Sequence, residues 1–176
     1  PDYYQSLKER GCPEHHQWQE AREEETESME KFKVWRRVKR SEARGHKLLT
    51  SKWVHKRKTN ERGEVSRYKA RLVARGFTQV EYDSFHPDEV CAHVVDRNSM
   101  RTVLSLAASQ NLKLYSFDIS NAYLQAELKE VIYMEPPPGM DIPKDECLAL
   151  IRPIYGTRQG ARMFSDALDS HLEKIG

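Results

Sequence analysis

The sequence predicts an α+β fold, and two observations lead to it. Helix-period stretches open, divide and close the chain, while the strand-like segments fall in a different order, first a long hairpin and later three short runs. No internal repeat suggests a solenoid or propeller. The 176 residues suffice for one domain with its own core or for part of a larger one.

The first element is an amphipathic helix over 15–31. Trp18, Ala21, Arg22, Glu25, Met29 and Phe32 fall near one stripe, with a glutamate run opposite. Next, 47–77 holds two β-forming, base-rich runs around "NERG", whose Gly63 can take a positive φ, so the segment reads as a β-hairpin. Period-two alternation puts Arg67, Lys69 and Arg71 on one face and Tyr68, Ala70 and Leu72 on the other; on the first strand Lys52, Lys56 and Lys58 share a face. A helix follows over 98–110, capped by Asn98 or Ser99, with Met100, Val103, Leu104, Leu106 and Ala107 as its apolar side. "LKLYSFDI" then predicts an apolar strand carrying Asp118, "NAYLQAEL" a short helix or turn, and "VIYME" another strand. A Pro-rich loop over 136–146 leads to a short strand, "CLALI". An amphipathic helix over 161–174 closes the series, with Met163, Phe164, Leu168 and Leu172 inward.

Composition narrows the function. With 38% hydrophobic residues and a mean hydropathy of -0.81, the chain reads as soluble and polar. No apolar run approaches the roughly 18 residues that argue for a membrane span, and the polar opening, Pro1 to Arg10, has no signal-peptide pattern. Cys12, Cys91 and Cys147 are odd in number and lack CxxC spacing, which argues against a disulfide framework or zinc site and for a reducing, intracellular compartment. The net charge of +2 hides an asymmetry, because residues 31–80 hold 17 Lys or Arg against 3 Glu. That block is +14, and the other 126 residues are -12. Such a block suggests a polyanionic partner, with a solvated lysine-rich face as the alternative.

Four motifs resemble, in order and spacing, the reverse transcriptase domain of copia-type LTR retrotransposons: "KWVHKRKTNERGEVSRYKARLVARGFTQ", "FDISNAYLQAEL", "VIYMEPPPGM" and "IYGTRQGARMF". The resemblance covers nearly the whole chain and implies a right-hand polymerase. The basic hairpin would belong to the fingers, and the Asp118 segment would open the palm. The implied division is an N-terminal helical segment over 1–33, a fingers region over 34–97 and a partial palm over 98–176. The fold would be incomplete, because the family's Tyr-X-Asp-Asp box does not occur in the sequence.

By the same resemblance, Asp118 is the palm aspartate that binds both Mg²⁺ ions, and the Ile119 carbonyl is a further ligand. From the residues alone, an isolated Asp at a strand-to-helix turn reads by default as an N-cap. The resemblance places Ser120, Asn121 and Ala122 against the incoming triphosphate and makes Tyr123 the gate against a ribose 2′-hydroxyl. Tyr123 alone reads as an ordinary core aromatic. Lys58 and Arg71 resemble the clamp on the β- and γ-phosphates, with Lys56 and Lys69 as substitutes if the hairpin register differs. Lys56, Arg67 and Lys69 would contact nucleic acid, while Gln159 and Gly160 would support the template base and nucleotide sugar. The implied partners are an RNA template, a DNA primer, dNTPs and the remaining Pol regions (protease, integrase, RNase H), with no membrane. The implied location is intracellular, in a cytoplasmic virus-like particle or the nucleus.

Three departures stand out. The family usually has Pro where this chain has His93, "LNG" where it has "LQA", and "GLKQAPRAW" where it has "GTRQGARMF". They suggest a diverged copy. Two functions therefore stand side by side: part of an RNA-directed DNA polymerase, inactive in isolation, or a non-catalytic nucleic-acid-binding relic. A structural pseudo-domain without ligand is a third.

Overall fold

A computed structural model describes Gly11 and residues 13–175; Cys12 and the Pro1–Arg10 opening lie outside the described residues. In chain order the elements are helix α1 (His15–Lys31), strands β1 (Trp35–Lys39), β2 (Ser51–Thr59) and β3 (Val65–Ala74), and helices α2 (Arg97–Ser109) and α3 (Ala122–Gln125). Strands β4 (Ile132–Met134) and β5 (Glu146–Leu150) and helix α4 (Gly160–Ile175) follow. The fold is thus mixed α and β with antiparallel sheets. None of these helices is long and apolar enough to cross a membrane.

β2 and β3 form the hairpin, with Lys56 opposite Lys69, Lys58 opposite Arg67 and Val54 opposite Arg71. The turn is tied by Asn60, whose side-chain oxygen accepts from the backbone N–H groups of Arg62 and Glu64, both at 3.0 Å. One face of the hairpin rests on α1. Trp18 stands edge-on to His55 and Tyr68, with ring centroids 5.1 and 4.7 Å away, and the Tyr68 hydroxyl donates to Glu14 at 3.0 Å. The α1 stripe is as the sequence predicts, with Trp18, Ala21, Arg22 and Met29 buried.

The second sheet has the order β1-β5-β4, antiparallel throughout. β5 is central, which explains its unbroken apolar run. Leu148 and Leu150 enter the main core with Met29, Val34, Leu72, Leu124, Ile132, Met134 and Ile154, while Cys147 and Ala149 face a second cluster with Val38 and Ala43. β1 is absent from the sequence reading because the consecutive arginines Arg36 and Arg37 blur its alternation; its burial shows only Val38 fully inside.

The hairpin and the second sheet meet at a backbone crossing. Ala74 N–H donates to the Tyr155 carbonyl at 2.7 Å. A Cβ on Gly156, whose φ is +88, would lie 2.2 Å from the Ala74 carbonyl oxygen, and one on Gly76 would lie 2.1 Å from that of Gly156. Only glycine allows the two chains to approach so closely.

Four expectations need correction. α2 is capped by Asp96, not Asn98 or Ser99; the Asp96 carboxylate accepts from the N–H groups of both, at 2.9 and 3.3 Å. The α2 apolar side does not face a core, since Ala107 alone is buried and Met100, Val103, Leu104 and Leu106 are exposed. Residues 112–119 are not a strand. A ladder requires a neighbour to exchange N–H···O=C bonds, and among the described residues none runs beside this segment, so Leu112, Leu114, Tyr115 and Phe117 stay exposed. Finally, Leu172 on α4 is exposed, because the helix extends past the elements that cover Met163.

Candidate nucleotide and nucleic-acid site

α3 is short, so its placement depends on its ends. Its exposed C-terminal carbonyls have no intrahelical partner; Arg152 supplies one, donating to the carbonyls of Leu124 and Gln125 at 3.0 and 3.2 Å. At the other end Asn121 takes a left-handed conformation, φ 54, and its side-chain amide donates to Ser28 Oγ on α1 at 2.9 Å. Asn121, not Asp118, is the residue at the N-cap position, and it makes no capping bond from its side chain. Asp118 therefore caps no helix.

These constraints place residues 118–123 across a cleft from β3. The cleft, of about 710 Å³, is lined by Arg67, Lys69 and Arg71 on one wall and by Asp118, Ile119, Ser120, Asn121, Ala122 and Tyr123 on another. Ala92 and His93 enter its rim, and Tyr155, Ala161, Phe164, Ser165 and Leu168 complete it. Nine of the residues singled out from sequence thus meet at one place. Four do not. Lys56 and Lys58 share the basic face by register but stand outside the cleft. Gln159 and Gly160 are buried behind it.

Gln159 has a definite role in packing. Its amide donates to the Ser84 carbonyl at 2.8 Å and accepts from the Gln79 amide at 3.0 Å. Gln79 in turn accepts from Arg158 N–H at 2.8 Å and donates to Ser84 at 3.0 Å. Both buried amides are satisfied, as buried polar groups must be, and they pin the loop before α4 to the chain after β3. Gln79 was not singled out from sequence. A lone Gln carries no periodic signal, and only its spatial partner reveals it.

The electrostatics of the wall are cationic. Burial lowers the Lys69 ammonium pKa from its ordinary value, and repulsion from Arg71, Lys58 and Arg67 lowers it further against the pull of Glu25. Glu25 on α1 is itself raised by burial, against the Leu72 N–H and the charges of Lys69 and Arg71. Arg67 is paired with Glu24 at 2.8 Å. Arg71 lies with its guanidinium 4.5 Å from the Tyr155 ring centroid, and the Tyr123 ring is 4.8 Å from that same ring. Tyr155 lies inside the motif "IYGTRQGARMF", where the resemblance gives it no role.

Metal binding is less well provided. Mg²⁺ takes six oxygen ligands in near-octahedral geometry. Among the described residues no three of His, Cys, Asp and Glu gather as a metal group, so Asp118 and the Ile119 carbonyl are too few to hold the ion themselves. The cleft as described fits anion binding by cations; it does not amount to a metal centre.

The sequence has counterparts among known proteins. A family profile described as "Reverse transcriptase (RNA-dependent DNA polymerase)" matches residues 32–176. The chain is 38% identical over 172 residues to the retrovirus-related Pol polyprotein from transposon TNT 1-94 of Nicotiana tabacum, covering 96% of this chain and 13% of that protein. It is 34% identical over 136 residues to the Pol polyprotein from transposon RE2 of Arabidopsis thaliana, covering 73% of this chain and 9% of the relative. With the transposon Ty1-BL Gag-Pol polyprotein of Saccharomyces cerevisiae it shares 30% over 158 residues, 88% of this chain and 8% of the relative. The chain thus spans about a tenth of the length of these curated relatives. No solved structure matches it significantly.

Proposed function

The chain belongs to the reverse transcriptase (RNA-dependent DNA polymerase) family found in copia-type retrotransposon Pol polyproteins, and on that premise we propose that its cleft holds the incoming deoxynucleotide beside a primer–template. One observation carries the reading. The cations Arg67, Lys69 and Arg71 face the 118–123 segment across a single cleft of about 710 Å³.

Each wall has a part in this proposal. Arg71 presents a planar fork suited to bidentate phosphate binding and takes the triphosphate with Lys69 beside it; Lys58 lies opposite Arg67 on the neighbouring strand and does not line the cleft. Ser120, Asn121 and Ala122 are small enough to let phosphate oxygens approach the backbone. Tyr123, half-buried over the cleft floor, closes the sugar side and excludes a ribose 2′-hydroxyl. Lys56 and Lys58, outside the cleft, stand opposite Lys69 and Arg67 on the basic face of the hairpin, and the four track the backbone of the duplex. Two-metal nucleotidyl transfer, the family's chemistry, needs Mg²⁺ ligands beyond Asp118. The partners proposed are RNA template, DNA primer, dNTP and the other regions of a Pol polyprotein.

The lone carboxylate also favours a second reading, a nucleic-acid-binding relic without chemistry. The two separate in the parent polyprotein. Polymerase reading: Asp118→Asn removes primer extension and leaves primer–template affinity intact, since the amide is near-isosteric but uncharged. Retained extension at wild-type rate refutes a role for the carboxylate. A wild-type polyprotein that binds primer–template without extending it supports the relic.

A further inference from the structure

We propose that Tyr155 is a positioning residue, whose ring fixes the Arg71 guanidinium relative to Tyr123 and so sets the geometry in which the cleft receives a triphosphate. The inference rests on the reading of the cleft as a nucleotide site.

Arg71 projects from the exposed face of β3, where a long side chain has many rotamers to choose among. Among the described residues it makes no salt bridge, whereas its neighbour Arg67 is paired with Glu24 at 2.8 Å. What holds Arg71 is the Tyr155 ring, with its centroid 4.5 Å from the guanidinium carbon. This is within the range of a cation–π contact. The kind of partner matters. A carboxylate would consume the in-plane N–H donors, while a ring covers only the flat face and leaves the fork free to donate to phosphate.

The ring in turn is located by backbone, not by a flexible side chain. The Tyr155 carbonyl accepts from Ala74 N–H at 2.7 Å. The next residue, Gly156, passes so near β3 that a Cβ there would meet the Ala74 carbonyl oxygen at 2.2 Å. Ala74 lies three residues beyond Arg71 on the same strand, so the ring and the guanidinium are referred to one frame. On its other side Tyr155 meets Tyr123, with ring centroids 4.8 Å apart and planes inclined by 48°. Such a tilted pair is attractive beyond its buried area. Tyr155 thereby joins the phosphate-side and sugar-side groups of the cleft without needing to touch the ligand.

The test is calorimetric titration of the chain with sodium tripolyphosphate, which carries the phosphate chemistry without base or sugar. Tyr155→Met fills similar space without a ring face and is expected to weaken binding about 3- to 10-fold, the range of a partly exposed cation–π contact. Tyr155→Phe keeps the ring and is expected to bind within about twofold of wild type, because the contact depends on the ring face. The double variant Arg71→Ala/Tyr155→Met is expected to bind no more weakly than Arg71→Ala alone, since Tyr155 acts through Arg71. Additive losses overturn the inference, as does undiminished binding by Tyr155→Met when Arg71→Ala is weakened. A wild type that binds no tripolyphosphate, or an Arg71→Ala variant that binds as wild type does, overturns the nucleotide reading of the cleft and this inference with it. Should Tyr155→Met not fold, proton NMR decides. The ring face shifts the Arg71 Hε signal upfield in wild type and Tyr155→Phe, and an unshifted signal overturns the inference.

Discussion

Alanine at Gly156 offers the sharpest test of how the hairpin is joined to the second sheet. Two costs combine there. The residue has φ +88, and placing an L-residue in the left-handed region costs about 1–2 kcal/mol. Its Cβ would also stand 2.2 Å from the Ala74 carbonyl oxygen and 2.8 Å from Val73 Cγ1, so the strands must part. Parting them breaks the 2.7 Å bond from Ala74 N–H to the Tyr155 carbonyl. Ala74 is buried at 4% exposure, and an orphaned buried N–H costs about 1–3 kcal/mol. The sum is about 2–5 kcal/mol, which for a chain of this size lowers Tm by roughly 5–20 °C. Two comparisons separate the terms. Gly45 has φ +95 but open space around its Cβ position, so Gly45→Ala carries the conformational cost alone, a fall of about 2–8 °C. For Gly76, the Cβ would meet the Gly156 carbonyl at 2.1 Å, and the cost is steric. Thermal unfolding followed by circular dichroism should rank Gly156→Ala below Gly45→Ala, with Gly76→Ala also below it. If both crossing variants match Gly45→Ala, the close approach is not what joins the two sheets.

Other consequences concern charge and specificity. Lys69 is held below its ordinary pKa, so it loses its proton at lower pH than a free lysine. Affinity for tripolyphosphate, measured by calorimetry, is expected to fall at a lower pH than deprotonation of an ordinary lysine would give, and Lys69→Arg should move the fall upward. Lowering of this pKa also means that the unfolded chain binds more protons than the folded one between the folded and unfolded pKa values, so Lys69 makes stability rise with pH across that window. Glu25 shows the opposite shift, being raised by burial; at neutral pH its charged form is less favoured in the fold than in the unfolded chain. Glu25→Gln, which keeps an acceptor for the Leu72 N–H, is therefore expected to raise Tm at pH 7, and a lowered Tm would show that its attraction to Lys69 and Arg71 outweighs burial. In a Pol polyprotein that carries this chain, Tyr123→Val is expected to raise ribonucleotide relative to deoxynucleotide incorporation in primer extension, and an unchanged ratio would return Tyr123 to a packing role.

Much of this was legible in the sequence where a local rule governs. The α1 stripe, the Asn60–Gly63 turn and the two faces of the hairpin follow from period and turn chemistry alone, and Lys69 and Arg71 reach the cleft because alternation put them on its face. Residues 112–119 show the limit of that logic. Their apolar composition reads as a strand, yet a strand is a relation between two chains, and no neighbour among the described residues completes it. The α2 cap was misplaced by two or three residues because Asp96, Asn98 and Ser99 are all good caps, and only backbone geometry selects among them. Tyr155 and Gln79 were invisible for another reason. Each matters through a partner far along the chain, Arg71 in one case and Gln159 in the other, and no spacing rule reports such pairs. The resemblance located Gln159 in a motif, and the hydrogen bonds of its buried amide to Ser84 and Gln79 could be read only from the fold.

If the hairpin's basic face meets phosphates, as proposed above, duplex binding must weaken with salt in proportion to the contacts made. Lys56 and Lys69 stand opposite each other on that face. Each phosphate contact on a B-form duplex contributes a slope of about −0.9 to log affinity against log salt. In titrations of a DNA duplex across salt concentrations, Lys56→Ala/Lys69→Ala is expected to make the slope shallower by about 1.8, whereas Lys33→Ala/Lys47→Ala, of equal charge but outside the face, leaves it unchanged. Equal slopes for wild type and both double variants would contradict the claim.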